Sequence, residues 1–183
     1  MTSPGTVGGG ERLRLFCSLR LPDPVLDALE RWQGEHLRDG RIVPREHLHI
    51  TLAFLGSRPS AELGAIAGAL NEAARGAVGI VLSGRRYRET RSVGMVVLED
   101  ETGAAGELAE RLFDRLEGLG VYEREKRRWL PHVTVLRFRT PPRLSPPTPD
   151  LGAFQPSDAA VYMSALRPTG AQYEVLESVP LGG

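Results

Sequence analysis

The chain has 183 residues, 41% hydrophobic and 25% charged, which is ordinary for a globular protein with a sizeable core. Its 23 basic residues balance its 23 acidic ones, so no global charge favours long nucleic acid; a small anionic substrate needs only local positive charge. No apolar stretch is long enough to span a membrane. Residues 1–10 lack a basic start and an apolar centre, which excludes a signal peptide and reads as a flexible polar tail of a cytoplasmic protein. Lys126 is the only lysine; the arginine excess goes with a bias toward Ala, Gly and Pro. Cys17 has no partner for an internal disulfide and lies in an apolar run, as a buried inert thiol would.

In chain order, residues 12–19 form a first strand. Asp23 caps a helix whose stripe is Val25, Ala28, Leu29 and Trp32, with His36 near its end and Gly40 closing it. A second strand spans 47–55, closed by Gly56 and Pro59. Ser60 opens a helix with Leu63, Ile66, Ala67 and Leu70 on its apolar face. A short strand follows at 78–82, then the Arg-rich stretch 83–92, which reads as a hairpin or loop, then a strand at 93–98. Leu108, Leu112, Leu116 and Leu119 give the clearest helical stripe, after Thr102 and Gly103. The stretch 122–128 is charged and exposed. A strand runs from His132 to about Phe138. Five prolines between 141 and 149 exclude a sheet strand there. The strands 160–166 and 173–179 pair as a hairpin through Pro168-Thr169-Gly170. The result is an α+β chain of two related halves, with antiparallel sheets and outer helices. No linker separates them, so 1–183 reads as one domain with a shared cleft.

Two stretches repeat one pattern: His49-Ile50-Thr51-Leu52 and His132-Val133-Thr134-Val135. Strand periodicity places each His and Thr on one face and the apolar residues on the other. Two such faces around one cleft supply two imidazoles and two hydroxyls, a set suited to acid–base chemistry on a phosphate ester. The structural alternative is that each His-x-Thr is only a half-exposed strand. His47-x-His49 has the spacing of a zinc pair, but with Cys17 as the only thiol and no nearby Asp the ligand set is incomplete. No Walker loop or dinucleotide fingerprint is present, so no metal, ATP or other cofactor is expected.

With these motifs on view, the chain resembles the 2H phosphoesterase superfamily, and within it the RNA 2',3'-cyclic phosphodiesterases, also called 2'-5' RNA ligases. The resemblance rests on Arg14-Leu15-Phe16, on the stretch from His47 to Gly56, on Pro131 to Arg137 and on Gly170 to Leu176. His47, Val135 and the region 85–94 depart from the pattern. The resemblance implies a bilobal fold of two pseudo-symmetric lobes. It implies metal-independent opening of RNA 2',3'-cyclic phosphate ends to 2'-phosphomonoesters, with 2'-5' ligation as the reverse. It casts His132 as the base that activates water and His49 as the acid for the 3'-oxygen. Thr51 and Thr134 are implied as donors to non-bridging oxygens, Arg137 as a phosphate ligand and Phe16 as a stacking surface for a base. Strand parity turns Arg137 away from His132 unless a bulge intervenes. A relative specialised for small cyclic nucleotides or ADP-ribose cyclic phosphate, and a non-catalytic RNA-binding module, are the competing readings. A monomer acting on RNA without a membrane partner is the simplest assembly.

Overall fold

The computed structural model describes residues 10–182; the tail expected over 1–10 lies almost wholly outside them. Eight strands and three helices follow in the order β1 (Arg12–Arg20), α1 (Asp23–His36), β2 (Arg41–Ile42), β3 (Ile50–Pro59), α2 (Leu63–Arg75), β4 (Leu82–Glu89), β5 (Val93–Asp100), α3 (Ala104–Gly118), β6 (His132–Arg137), β7 (Asp158–Arg167) and β8 (Gly170–Val179). Every pairing is antiparallel. The order across the sheet is β4-β5-β6-β3-β1-β7-β8, with β2 paired to β6. The two His strands are therefore central neighbours. On each side a strand–helix–strand unit repeats, β1-α1-β3 and β5-α3-β6, which is the pseudo-symmetry expected of the lobes.

Both units bury the same alternate residues. Ile50, Leu52, Val133 and Val135 are at most 3% exposed and join the stripes of the helices in one core. Leu108, Leu112 and Leu116 of α3 are fully buried, whereas Leu119 falls just beyond the helix and is 45% exposed; the stripe ends one residue earlier than its spacing implies. A second, small cluster of Phe16, Ala160 and Tyr162, with Tyr173 against it, lies apart from this core.

Several boundaries differ from the sequence reading. Asp23 is inside the first turn of α1; Pro22 occupies the cap, and Asp23 contributes there only as an acidic residue at the positive helix end. The helix ends at His36, before Gly40. Ser60 opens a single 3-10 turn, and α2 starts at Leu63. Residues 78–81 have no regular structure, with Gly79 at a φ of 71°, and the strand begins at Leu82. The Arg-rich stretch is β4 itself, the outer arm of a hairpin with β5. The proline-rich connection from 141 to 149 has no regular structure and is pinned down at several points. Trp32 Nε1 donates to Pro147 O at 2.8 Å, and the amides of Arg143 and Leu144 donate to the Glu89 carboxylate at 2.7 and 2.9 Å. A Cβ at Gly84 would lie 2.9 Å from Pro149 O, so the segment's closeness to β4 requires glycine there. This strap covers the edge strand, where open backbone groups would invite a second chain. No helix among the described residues is long and apolar enough to cross a membrane.

Leu112→Ala is expected to lower stability by about 2–5 kcal/mol through the cavity it leaves. Leu119→Ala should shift it by less than about 0.5 kcal/mol. Urea unfolding midpoints of the two variants distinguish the buried stripe from its exposed end.

Candidate active site

His49 is the last residue before β3, held between a 3-10 turn over Arg45–His47 and the strand. His132 is the first residue of β6. Both rings are anchored in the same way. Nδ1 of His49 lies 2.8 Å from His47 O, and Nδ1 of His132 lies 2.8 Å from Leu130 O. A carbonyl only accepts, so each Nδ1 carries hydrogen and each neutral ring keeps its lone pair on Nε2. The Nε2 of His49 receives the Thr51 hydroxyl at 2.9 Å.

The two strands meet at one register pair, Ile50 with Val133. Both side chains point into the core, so His49, Thr51, His132 and Thr134 occupy the opposite face. Continued in antiparallel sense, that pair sets Thr51 toward His132 and Thr134 toward His49. Thr51 and His132 do line one cavity.

Directly after the threonine each strand carries an extra residue. Gly94 pairs with Leu136 but Met95 with Thr134, so Val135 is inserted in β6. Cys17 pairs with Ala53 but Ser18 with Thr51, so Leu52 is inserted in β3. Such a bulge places two successive residues on one side and reverses the parity that follows. Val135 and Leu136 are both fully buried, as are Leu52 and Ala53 to within 3%. The next residue in each strand, Arg137 or Phe54, thus returns to the His–Thr face. The parity objection to Arg137 is removed by this insertion, and the positive charge of Arg137 acts on both His49 and His47.

The bulge in β6 is held from outside the strand. Gln33 of α1, 2% exposed, donates from Nε2 to Val43 O at 3.0 Å and to Val135 O at 2.9 Å. The Val43 amide also donates to Val135 O, at 3.1 Å. Composition and periodicity give no sign of this role for Gln33, because its partners are backbone atoms distant in sequence.

Burial pushes the pKa of His49 down to about 4; the charges of His132, Arg137 and His47 act in the same direction, and the hydrogen bond to His47 O opposes them. His47 is also lowered, chiefly by burial. Burial raises the Cys17 thiol to about 12, so it stays protonated and unreactive.

A cavity of about 490 Å³ opens from Thr51 and His132 toward Phe54, Arg88, Arg128 and Trp129. Trp129 is tied to the site by its Nε1–H, which donates to Thr51 O at 3.0 Å.

Residues 19–87, which contain the first His motif, match the family described as LigT like Phosphoesterase. An RNA 2',3'-cyclic phosphodiesterase of Thermus thermophilus is 31% identical over 182 residues, covering 93% of this chain and 91% of its own. The chain belongs to the LigT-like phosphoesterase family. A Methanocaldococcus jannaschii protein of the same name is 22% identical over 90% of this chain and 99% of its own. Among solved structures, one from T. thermophilus superposes with a TM-score of 0.80 at 31% identity, over 92% of this chain and 98% of that one. Escherichia coli LigT complexed with 3'-AMP shares the fold, with a TM-score of 0.79 at 23% identity over 93% and 99% of the two chains.

Within this LigT-like, two-histidine fold, the structure brings His49, Thr51, His132, Thr134 and Arg137 to one face. Phe16 takes a different place from the one expected. It is 3% exposed, with its ring stacked on Tyr162 at 5.0 Å, 5.1 Å from the His49 ring and edge-on to Tyr173 at 5.1 Å. No face of Phe16 is open to a base; it forms the floor under His49. Tyr173 is the more open ring of the group and also meets His47 at 4.3 Å. Phe54, 50% exposed, escaped the sequence reading, although the doubled apolar pairs Leu52-Ala53 and Val135-Leu136 at one offset after each His-x-Thr are a visible signal. His36 sits in the last turn of α1, away from these motifs in the chain. Among the described residues no three His, Cys, Asp or Glu gather as a possible metal set.

Gln33→Leu is expected to cost about 1–3 kcal/mol, because Val43 O loses its Gln33 donor while Val135 O keeps only the Val43 amide, read as a lower unfolding midpoint. His49 should titrate near 4 by NMR and move toward its ordinary value in Arg137→Ala. Since the unfolded chain takes up that proton first, His49's contribution to stability is present above about 6.5 and diminishes as pH falls toward 4. In His49→Gln that part of the stability–pH curve should flatten.

Proposed function

We propose that the chain hydrolyses RNA 2',3'-cyclic phosphate ends to 2'-phosphomonoesters, without a metal, with reversible 2'-5' RNA ligation when a 5'-hydroxyl takes the place of water. The observation that carries this reading is the matched pair of imidazoles, each fixed through Nδ1 to the carbonyl two residues before it. Each therefore offers Nε2 on the common face. The name of the 31% identical Thermus relative, an RNA 2',3'-cyclic phosphodiesterase, supports the substrate class.

In this mechanism His132 Nε2 takes a proton from water as the water oxygen attacks phosphorus. The P–O3' bond breaks on the opposite side, and the 3'-oxygen takes a proton from His49 Nε2. The second proton of the water stays on the new phosphate until it is released to solvent. Thr51 and Thr134 donate to the non-bridging oxygens, and Arg137 balances charge that grows on them in the transition state. His49 begins neutral in the free protein at neutral pH, as its lowered pKa requires. A bound phosphate anion offsets the positive charges that depress it, so substrate itself favours the protonated acid. In 2'-5' ligation a 5'-hydroxyl takes the place of water. His132 Nε2 accepts its proton as the 5'-oxygen attacks phosphorus, the P–O3' bond breaks, and His49 Nε2 protonates the 3'-oxygen, leaving a 2'-5' phosphodiester. The roles exchange when that bond is cleaved back to the cyclic phosphate.

The same reading takes the chain as a single-domain, monomeric, cytoplasmic enzyme. E. coli LigT has been crystallised with NADP+, ATP, 3'-AMP and phosphate, which motivates small nucleotides as the comparison substrates.

An RNA oligomer ending in a 2',3'-cyclic phosphate, incubated with the protein in EDTA, should give the 2'-phosphate, identified against authentic 2'- and 3'-phosphate standards. His49→Ala and His132→Ala should each lower kcat by about 10²–10⁴-fold. Binding without turnover, unaffected by either substitution, would identify a non-catalytic RNA-binding protein. Turnover confined to mononucleotide or ADP-ribose cyclic phosphates would identify a small-substrate enzyme.

A further inference from the structure

The cavity beside His132 extends well past the atoms that a cyclic phosphate would need. Its walls carry four arginines. Arg124 is held by Glu110, Asp114 and Glu117, and Arg127 by Glu125. Arg88 and Arg128 have no carboxylate partner among the described residues. With Glu110 and Glu125 as the cavity's acidic residues, the lining carries an excess of two positive charges in a chain whose net charge is zero.

Four aromatic residues line the same cavity, Phe54, Phe113, Tyr122 and Trp129, of which Phe113 is buried. Phe54 is brought to the His–Thr face by the Leu52 bulge, as Arg137 is by the Val135 bulge. It is half exposed, and the Arg14 guanidinium lies 5.0 Å from its ring centroid. Trp129 is anchored by its indole N–H to Thr51 O, which fixes the ring relative to the reacting face. Aromatic rings beside unpaired guanidinium groups are the composition that single-stranded nucleic acid selects: bases stack on the rings, and phosphodiesters meet the arginines.

We propose that this groove is a binding subsite for a second nucleotide of single-stranded RNA, with Phe54 and Trp129 as stacking surfaces and Arg88 and Arg128 as its phosphate contacts. The proposal rests on the cyclic-phosphate reading above and deepens it: the site is built for an oligonucleotide end in preference to a mononucleotide.

Binding of reaction products tests the groove without needing turnover. Tryptophan fluorescence would follow titration with a trinucleotide ending in 2'-phosphate and with the corresponding 2'-mononucleotide. The trinucleotide should bind at least roughly ten-fold tighter, with a quench that Trp129→Phe removes. Phe54→Ala, Arg88→Ala and Arg128→Ala should each cut the trinucleotide's advantage at least about three-fold. For each arginine removed, the slope of log affinity against log salt should become shallower by about 0.7. Equal affinity for the two ligands, or variants that weaken both in the same proportion, would overturn the proposal. Thermal melts identify any variant that fails to fold, and the charge reversal Arg128→Glu then serves as the second probe. Turnover on the matching cyclic substrates is a separate arm. Its complete absence overturns the catalytic reading, while the binding ratio still decides the groove.

Discussion

The site depends on the brief backbone contact between β3 and β6. Those strands share one register pair, Ile50 with Val133, where β1 and β3 share eight. The two half-sheets join there and then diverge, and the divergence leaves room for a substrate between the faces that carry the imidazoles. A longer ladder would flatten the sheet and close that space. No pairing would leave the two rings without a fixed separation. The core supplies the strength that the short ladder lacks, since Ile50 and Val133 are fully buried among the side chains of both halves.

Each imidazole is then oriented by its own chain. The carbonyl two residues earlier, in the turn at His47 and the loop at Leu130, selects the tautomer in both cases. Two groups of the same chemical type come to differ through their surroundings. His49 sits on Phe16 and Tyr162 with Arg137 and His132 nearby, which strips it of water and discourages its charged form. His132 opens onto the basic cavity. Such asymmetry between like groups is how one site runs acid and base steps together.

Much of this was legible in the chain. The alternation in His49–Leu52 and His132–Val135 marked the correct faces, and the leucine spacing marked α3. Arg137 lies where strict alternation breaks down. A period of two turned it away from the site, and only an inserted residue brings it back. The paired buried residues Val135 and Leu136 record that insertion, but a doubled apolar residue in a sequence also suits a strand buried on both faces. Phe16 misled for a related reason: an aromatic on the correct face can form the floor of a site as readily as its wall, and burial decides which. The strap at 141–149 was legible as non-sheet from its prolines. Its anchors at Trp32, Glu89 and Gly84 were not, because they lie far away along the chain.

Gln33 ties these observations together. It belongs to the helix of the first half, yet its carboxamide grips the backbone of the second half at the bulge that presents Arg137. Arg137 is therefore aimed by one half of the molecule while being covalently part of the other. An internal duplication can copy a His–Thr strand, but this cross-brace exists only between two different copies. Each half is in that respect an incomplete tool. Because the grip is on a main-chain carbonyl, a change of side chain at Val135 leaves it in place while a change at Gln33 removes it, a one-sided dependence that a symmetric dimer of identical units does not impose.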